Sequence, residues 1–369
     1  MYRGQLGLRA PIAYASDSMK VETPLPFGKA DSGLKTTDGA IDLGTVANAA
    51  CLIEQLGFDG LAIQENKDDP FVVATLALQA TSRITAATSV AIAFARSPAV
   101  TAMSAWSLAR LSGGRFVLGV GSQVKGHIER RFGMPWSAPG PWMRDYLAAV
   151  RALWTAWQSG TPVDYRSPHY EITLNVPVFV PAPLASGPIA LHLAAVNPYM
   201  CQVAGEVADG LRVHPICTAH YIKTVIMPAV QRGAVKAGRS LDAFELGIKP
   251  LVATARDPIA LQGPREAIRG RIAFYGSTPA YRATFAAHGL TDLAAKLNQY
   301  SRAQRWTEMA ALISDEVLNE YAVVGPYDEI VPRIKARYGS LATLIEFSIP
   351  VRTAADEVLM AQMIVDLKR

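Results

Sequence analysis

The chain has 369 residues, of which 50% are hydrophobic and 18% charged, with a formal net charge of +5. That composition builds a globular protein with a large core and excludes a disordered chain. The Lys and Arg residues are scattered, and their densest cluster, Glu129-Arg130-Arg131, is too short to track a phosphate backbone, so no nucleic-acid partner is expected.

No apolar run is long enough to span a bilayer, so no membrane association is expected. The three cysteines, Cys51, Cys201 and Cys217, form no C-x-x-C pair. A disulfide framework and a four-cysteine zinc site are therefore not expected, and a reducing, cytoplasmic setting fits. Residues 1–18 carry Arg3 and Arg9 and no acid before Asp17. Arg9 interrupts the apolar core that a signal peptide would need before Ala13-Tyr14-Ala15. These residues read as a disordered extension, and residues 19–369 as a single domain.

From Met19 onward, short apolar runs alternate with amphipathic helices. Lys20 to Leu25 reads as a first strand. Thr45 to Leu56 reads as a helix, with Val46, Ala49, Ala50, Ile53 and Leu56 on one face and Gly57 as its stop. Phe58 to Ile63 is a second strand, and Asp69-Pro70 opens the next helix. Ile84 to Phe94 is a longer β run, after which Ser97 caps a helix with Pro98 just inside it. Ser112-Gly113-Gly114 ends that helix.

Arg115 to Val120 is a fourth strand. A Pro- and Gly-rich loop from Gly133 to Pro141 leads into a helix carrying Met143, Tyr146, Leu147, Val150, Leu153, Trp154 and Trp157 on one face. Ile189 to Ala194, Leu211 to Val213, Glu245 to Ala253 and Leu341 to Phe347 complete the strands. Asn197-Pro198 and Thr218 open helices between them, and a last helix runs from Ala354. Eight strands alternating with helices predict a parallel α/β fold, and the lack of any linker-like break favours a closed (β/α)8 TIM barrel. Residues 257–320 break the rhythm and read as an insertion before the last βα unit.

In such a barrel the site lies at the C-terminal ends of the strands. After the second strand comes Gln64-Glu65-Asn66-Lys67-Asp68-Asp69, where Glu65 and Asn66 stand nearest the strand end. After the fourth comes Gly119-Val120-Gly121-Ser122-Gln123-Val124-Lys125-Gly126-His127. Val124 breaks a dinucleotide fingerprint, and His127-Ile128 breaks a P-loop, so what remains is a glycine-rich turn that lets a ligand approach the backbone. His127-Ile128-Glu129 resembles the H-x-E of zinc deaminases but has no cysteine pair to complete it. His192 reads as a core residue, whereas His214 faces the mouth. Asn197 and Pro198 leave helix N–H groups open to an anion. There is no G-x-S-x-G elbow, and no catalytic triad can be assembled from the spacing, which argues against a hydrolase.

Two blocks carry a family resemblance. One is Thr88-Ser89-Val90-Ala91-Ile92-Ala93-Phe94-Ala95-Arg96-Ser97-Pro98. The other is Leu111-Ser112-Gly113-Gly114-Arg115-Phe116-Val117-Leu118-Gly119-Val120-Gly121. With them the chain, from about Lys20 onward, resembles the luciferase-like monooxygenase superfamily. Residues 119–133, 203–214 and 274–281 resemble its branch that uses the deazaflavin coenzyme F420.

The resemblance implies a tricyclic ring lying against a non-proline cis peptide at Ser89–Val90. It implies a cofactor phosphate at Val196, Asn197 and Pro198. It implies further cofactor contacts from Ser122, Gln123, His127 and His214. The sugar-phosphate dehydrogenases of that branch carry a proton-donor histidine where this chain has Asn66, and an acid where it has Val124. Two of their phosphate-cradle glycines are Val196 and Asn197 here. Their substrate and acid–base pair are therefore not carried over.

The function expected is hydride transfer between coenzyme F420 and a small organic substrate, with Glu65, Asn66 or His127 positioning or protonating that substrate. Phe132, Trp136, Trp142, Phe274, Tyr275 and Tyr281 would wall an apolar pocket. Two alternatives stand beside it: an FMN-dependent monooxygenase using dioxygen, and a non-catalytic binder of a flavin or deazaflavin. A homodimer or larger homo-oligomer is expected by analogy.

Overall fold

The computed structural model describes residues 19–28 and 41–369. The extension expected at residues 1–18 lies outside the described residues. Eight parallel strands close into a barrel: β1 (Lys20–Pro24), β2 (Gly60–Ile63), β3 (Thr85–Thr88), β4 (Phe116–Gly121), β5 (Ala190–Ala195), β6 (Gly210–Val213), β7 (Glu245–Ile248) and β8 (Leu344–Glu346). Each pairs with its neighbours in chain order, and β1 pairs with β8 to close the ring. Beyond β3, the short strand Ala91–Ile92 continues the pairing with β4.

The helices begin where their caps demand. Asp69 accepts the Phe71 amide (2.8 Å) ahead of the helix Pro70–Ala80. Ser97 accepts the Val100 amide (3.2 Å) ahead of Pro98–Ser112, and Gly113 ends that helix at φ 65°. Each cap gives an otherwise unpaired first-turn N–H a partner. The long helix Pro139–Ser159 buries Tyr146, Leu147, Val150, Leu153, Trp154 and Trp157 against the barrel, the face its spacing predicts.

Two of the predicted strands are interrupted. The run from Ile84 to Phe94 breaks at Ser89–Val90, where the peptide bond is cis. The run from Glu245 to Ala253 breaks at Lys249-Pro250. Its first part is β7, and its continuation Leu251–Ala255 leaves the barrel to pair in parallel with Ala322–Pro326. Proline has no N–H for the ladder, so β7 ends where Pro250 stands. Helices fill the chain between those two side strands. Among the described residues, no helix is long and apolar enough to cross a membrane.

Candidate functional site

A cavity of about 1310 Å³ opens at the C-terminal ends of the barrel strands. Glu65, Asn66, Ser89, Val90, Ser122, Gln123, Val196, Asn197 and His214 all line it. The segments that follow β2, β3, β4, β5 and β6 are thus brought to one mouth.

The wall behind β3 depends on close backbone approach. A Cβ on Gly121 would stand 2.7 Å from Val90 Cγ2, and one on Gly119 would stand 2.0 Å from the Thr88 carbonyl oxygen. These two glycines therefore let the β3 bulge lie flat against β4. Thr88 ties the same pair together: its hydroxyl donates to the Gly119 carbonyl (2.6 Å) and accepts the Gly119 amide (2.9 Å).

Glu65 has a different task from the one its position predicts. Arg96 Nη1 donates to both of its oxygens (2.9 and 2.7 Å), and the Ile92 amide donates to Oε2 (2.7 Å). The carboxylate is committed to bracing the bulge, which removes it from the candidates for proton transfer. His127 is corrected as well. It sits on the exposed face of the short helix Lys125–Arg130, outside the cavity lining, although its neighbours Val124 and Lys125 line it. Asn66 lines the mouth, but its amide donates to Gln64 Oε1 (3.0 Å).

Ser122 and Gln123 form the turn after β4, where Gln123 has φ 55° and its side chain accepts the Val124 amide (2.9 Å). Val196 and Asn197 face the cavity at the start of the helix Pro198–Val207, while Pro198 lies outside the lining. Asn197 holds the cap position without capping. Its side chain instead donates to the Ala280 carbonyl (3.3 Å), which leaves the helix end open to an anion.

His214 stacks on Tyr281 (centroids 4.4 Å apart) and meets Tyr275 edge-on (4.7 Å). Its Nδ1 accepts the Ile216 amide (3.2 Å), so the ring proton belongs on Nε2. Burial, aided by Lys249, pushes its pKa down to about 3, and the imidazole is neutral. Of the six bulky residues expected around the pocket, Trp136, Tyr275 and Tyr281 line it. Trp142 is buried against Phe94 instead, stacked at 3.7 Å. Phe132 and Phe274 stand outside the lining. His192 is a core residue, 1% exposed, with Nε2 3.2 Å from Glu245 Oε2.

The cavity floor was missed by sequence reasoning. Glu22 on β1, Arg212 on β6 and Glu346 on β8 are buried yet line the cavity, as does Lys249 at the end of β7. Arg212 pairs with Glu22, and Lys249 pairs with Glu346. Glu22 and Glu346 are register partners on adjacent strands, so their side chains share one level of the barrel. Desolvation raises the Glu346 carboxyl above the ordinary carboxylate range, opposed by Lys249 and reinforced by Glu22. Arg212 Nε and Thr254 Oγ1 are buried beside the cavity without a hydrogen-bond partner. An unmet donor on the floor, such as Arg212 Nε, fits a polar ring edge. Among the described residues, no three His, Cys, Asp or Glu side chains converge to hold a metal.

A parallel barrel with a wide, charged cavity at its C-terminal mouth defines a small-molecule enzyme architecture. The sequence profile of the luciferase-like monooxygenase family matches residues 21–344, and the chain belongs to that family. It is 39% identical over 334 residues to an uncharacterized protein of Mycobacterium tuberculosis, covering 90% of this chain and 97% of the relative. It is 28% identical over 292 residues to a 5,10-methylenetetrahydromethanopterin reductase of Archaeoglobus fulgidus, covering 77% of this chain and 82% of that protein. The fold is shared with the coenzyme F420-dependent tetrahydromethanopterin reductase of Methanopyrus kandleri, at a TM-score of 0.71 and 20% identity over 96% of this chain and 98% of that one. It is shared too with an EDTA monooxygenase of Chelativorans, at a TM-score of 0.66 and 14% identity over 95% and 93% of the two chains.

Proposed function

We propose that this chain is an oxidoreductase that uses coenzyme F420 to move a hydride to or from a small organic substrate. The observation that carries the reading is the cavity itself, with about 1310 Å³ at the barrel mouth above a floor of paired charges. A flat tricyclic ring and a substrate fit in that space together. Relatives named as F420-using reductases support the deazaflavin. When bound, that coenzyme supplies the hydride chemistry.

The chain's own residues would hold and orient. Ser89 and Val90 form the wall against one face of the ring. Val196 and Asn197, at an uncapped helix start, would take its phosphate, with Ser122 and Gln123 beside them. The neutral His214 offers an N–H donor. Asn66 and Val124 cannot supply the acid–base pair of the sugar-phosphate branch. Glu346, ion-paired to Lys249 on the cavity floor, would with that lysine orient the polar atoms of the substrate.

The second reading is an FMN-dependent monooxygenase. It rests on the family's name and on fold neighbours that are monooxygenases. Equilibrium titration with F420 and FMN side by side separates the two. Tighter binding of F420, and no substrate-dependent oxygen uptake with reduced FMN, is the expected result. Oxygen consumption with reduced FMN and substrate would overturn the deazaflavin reading.

A further inference from the structure

Ser137, Asp145 and His169 meet next to Trp136 and Pro139, which line the cavity, in an order that their sequence separations of 24 and 32 residues conceal. Ser137 Oγ lies 3.3 Å from His169 Nε2, and His169 Nδ1 lies 2.6 Å from Asp145 Oδ2. Asp145 projects from the helix Pro139–Ser159, and Ser137 stands just before that helix. His169 comes from the turn between the paired strands Tyr165–Arg166 and Glu171–Ile172.

The arrangement is fixed from several sides. Ser167 Oγ accepts the His169 and Tyr170 amides (3.3 and 3.0 Å) and shapes the turn. The Trp142 ring lies nearly parallel to His169, 17° apart with centroids at 6.2 Å, and its indole N–H donates to Tyr170 Oη (2.6 Å). The His169 and Asp145 side chains are only 19% and 17% exposed. In the neutral tautomer that donates Nδ1–H to the carboxylate, the Nε2 lone pair is turned toward the serine hydroxyl. Nucleophile, base and orienting acid thus stand in the order that acyl transfer needs.

Two neighbouring features add to this. Ala138 takes the N-cap position of the 21-residue helix without a side-chain cap, so the positive helix end beside Ser137 is not quenched. Pro139 and Pro141 carry no N–H, and the Trp142 amide donates to the Ala138 carbonyl (3.2 Å), so Gly140 supplies the remaining amide of the first three positions. Trp136 and Pro139, on either side of the serine, both line the main cavity.

We propose that Ser137, His169 and Asp145 form a second reactive centre, which takes the acyl group of small esters. Ser137 Oγ bonds to the ester carbonyl carbon as its proton passes to His169 Nε2. The bond from that carbon to the alcohol oxygen then breaks, and the proton leaves with the alcohol. Water, deprotonated by His169, releases the acid and restores the serine. The sum is ester plus water to acid plus alcohol, with no redox step and no cofactor.

The full-length protein, without added cofactor, is treated with a fluorophosphonate probe and assayed on p-nitrophenyl acetate. One label per chain on Ser137, found by peptide mapping, is expected, together with ester hydrolysis that S137A abolishes. H169N should slow labelling by about a hundredfold or more. S137A keeps the His169–Asp145 pair and should unfold at the wild-type midpoint, so loss of labelling there cannot be ascribed to misfolding. No label on Ser137, equal hydrolysis by S137A, or undiminished labelling of H169N would each overturn the proposal. None of these outcomes depends on which redox cofactor the barrel binds.

Discussion

Replacing Arg96 tests whether a charged brace, rather than a catalytic acid, occupies the end of β2. Arg96 binds both Glu65 oxygens through Nη1 and Asp69 through Nη2 (3.0 Å). The Arg96 and Glu65 side chains are 18% and 8% exposed, so water screens this pair little, whereas Asp69 at 47% contributes little. Arg96→Met strands a buried carboxylate. Breaking such a pair costs about 3–5 kcal/mol, and the retained Ile92 amide puts this case near the lower end. Glu65→Gln keeps an acceptor for Ile92 and loses only the charge, at about 1.5–3 kcal/mol. In the double variant neither partner is left as an unpaired charge, so its cost should fall short of the sum by about 1–2 kcal/mol. Urea unfolding of the four proteins, paired with fluorescence titration of F420, measures both effects. Arg96→Met should also weaken cofactor binding, because Ile92 anchors the bulge, while Glu65→Gln should leave it nearly unchanged. Additivity of the single variants within about 0.5 kcal/mol would refute the brace. So would a Glu65→Gln protein of wild-type stability that binds F420 but has lost turnover.

Gly121→Ala places a methyl 2.7 Å from Val90 Cγ2, which must move into the cavity. We expect about 1–3 kcal/mol of destabilisation and a clear loss of F420 affinity with the circular dichroism spectrum intact, and unchanged affinity would remove Val90 from the binding wall. His214 gives a pH signature: its pKa is about 3 in the folded protein against an ordinary histidine value of 6.5, so the unfolded chain takes up the proton first. Its contribution to stability is complete above pH 6.5 and declines as pH falls toward 3, by about 1.4 kcal/mol per pH unit. His214→Gln should flatten the slope of stability against pH in that window, and an unaltered slope would show that the ring titrates normally.

The barrel was legible because its punctuation is local. Asp69-Pro70 and Ser97-Pro98 set helix starts within a residue, and Gly113 sets a helix end, through bonds made inside one turn. What stayed hidden depends on distant partners. Leu251–Ala255 reads as more of β7 until Ala322–Pro326, some seventy residues later, arrives to pair with it. Ser137, Asp145 and His169 carry no shared motif and meet only once the hairpin folds over the long helix.

The floor charges form a separate case, because a signal for them was present. A strand in a closed parallel barrel is covered on both faces, by helices outside and by the barrel interior within. A single charge inside a short apolar run such as Val21-Glu22-Thr23, Leu211-Arg212-Val213 or Ile345-Glu346-Phe347 therefore has no solvent face to occupy. It must point inward, and burial of that kind is tolerated only with a partner of opposite sign. Once the eight-strand rhythm predicts a closed barrel, these charges predict a polar floor. Their pairing is a property of closure alone: Glu22 on β1 meets Arg212 on β6, and Lys249 after β7 meets Glu346 on β8. Stray charges in barrel strands therefore point to a site as firmly as the loops beyond them do.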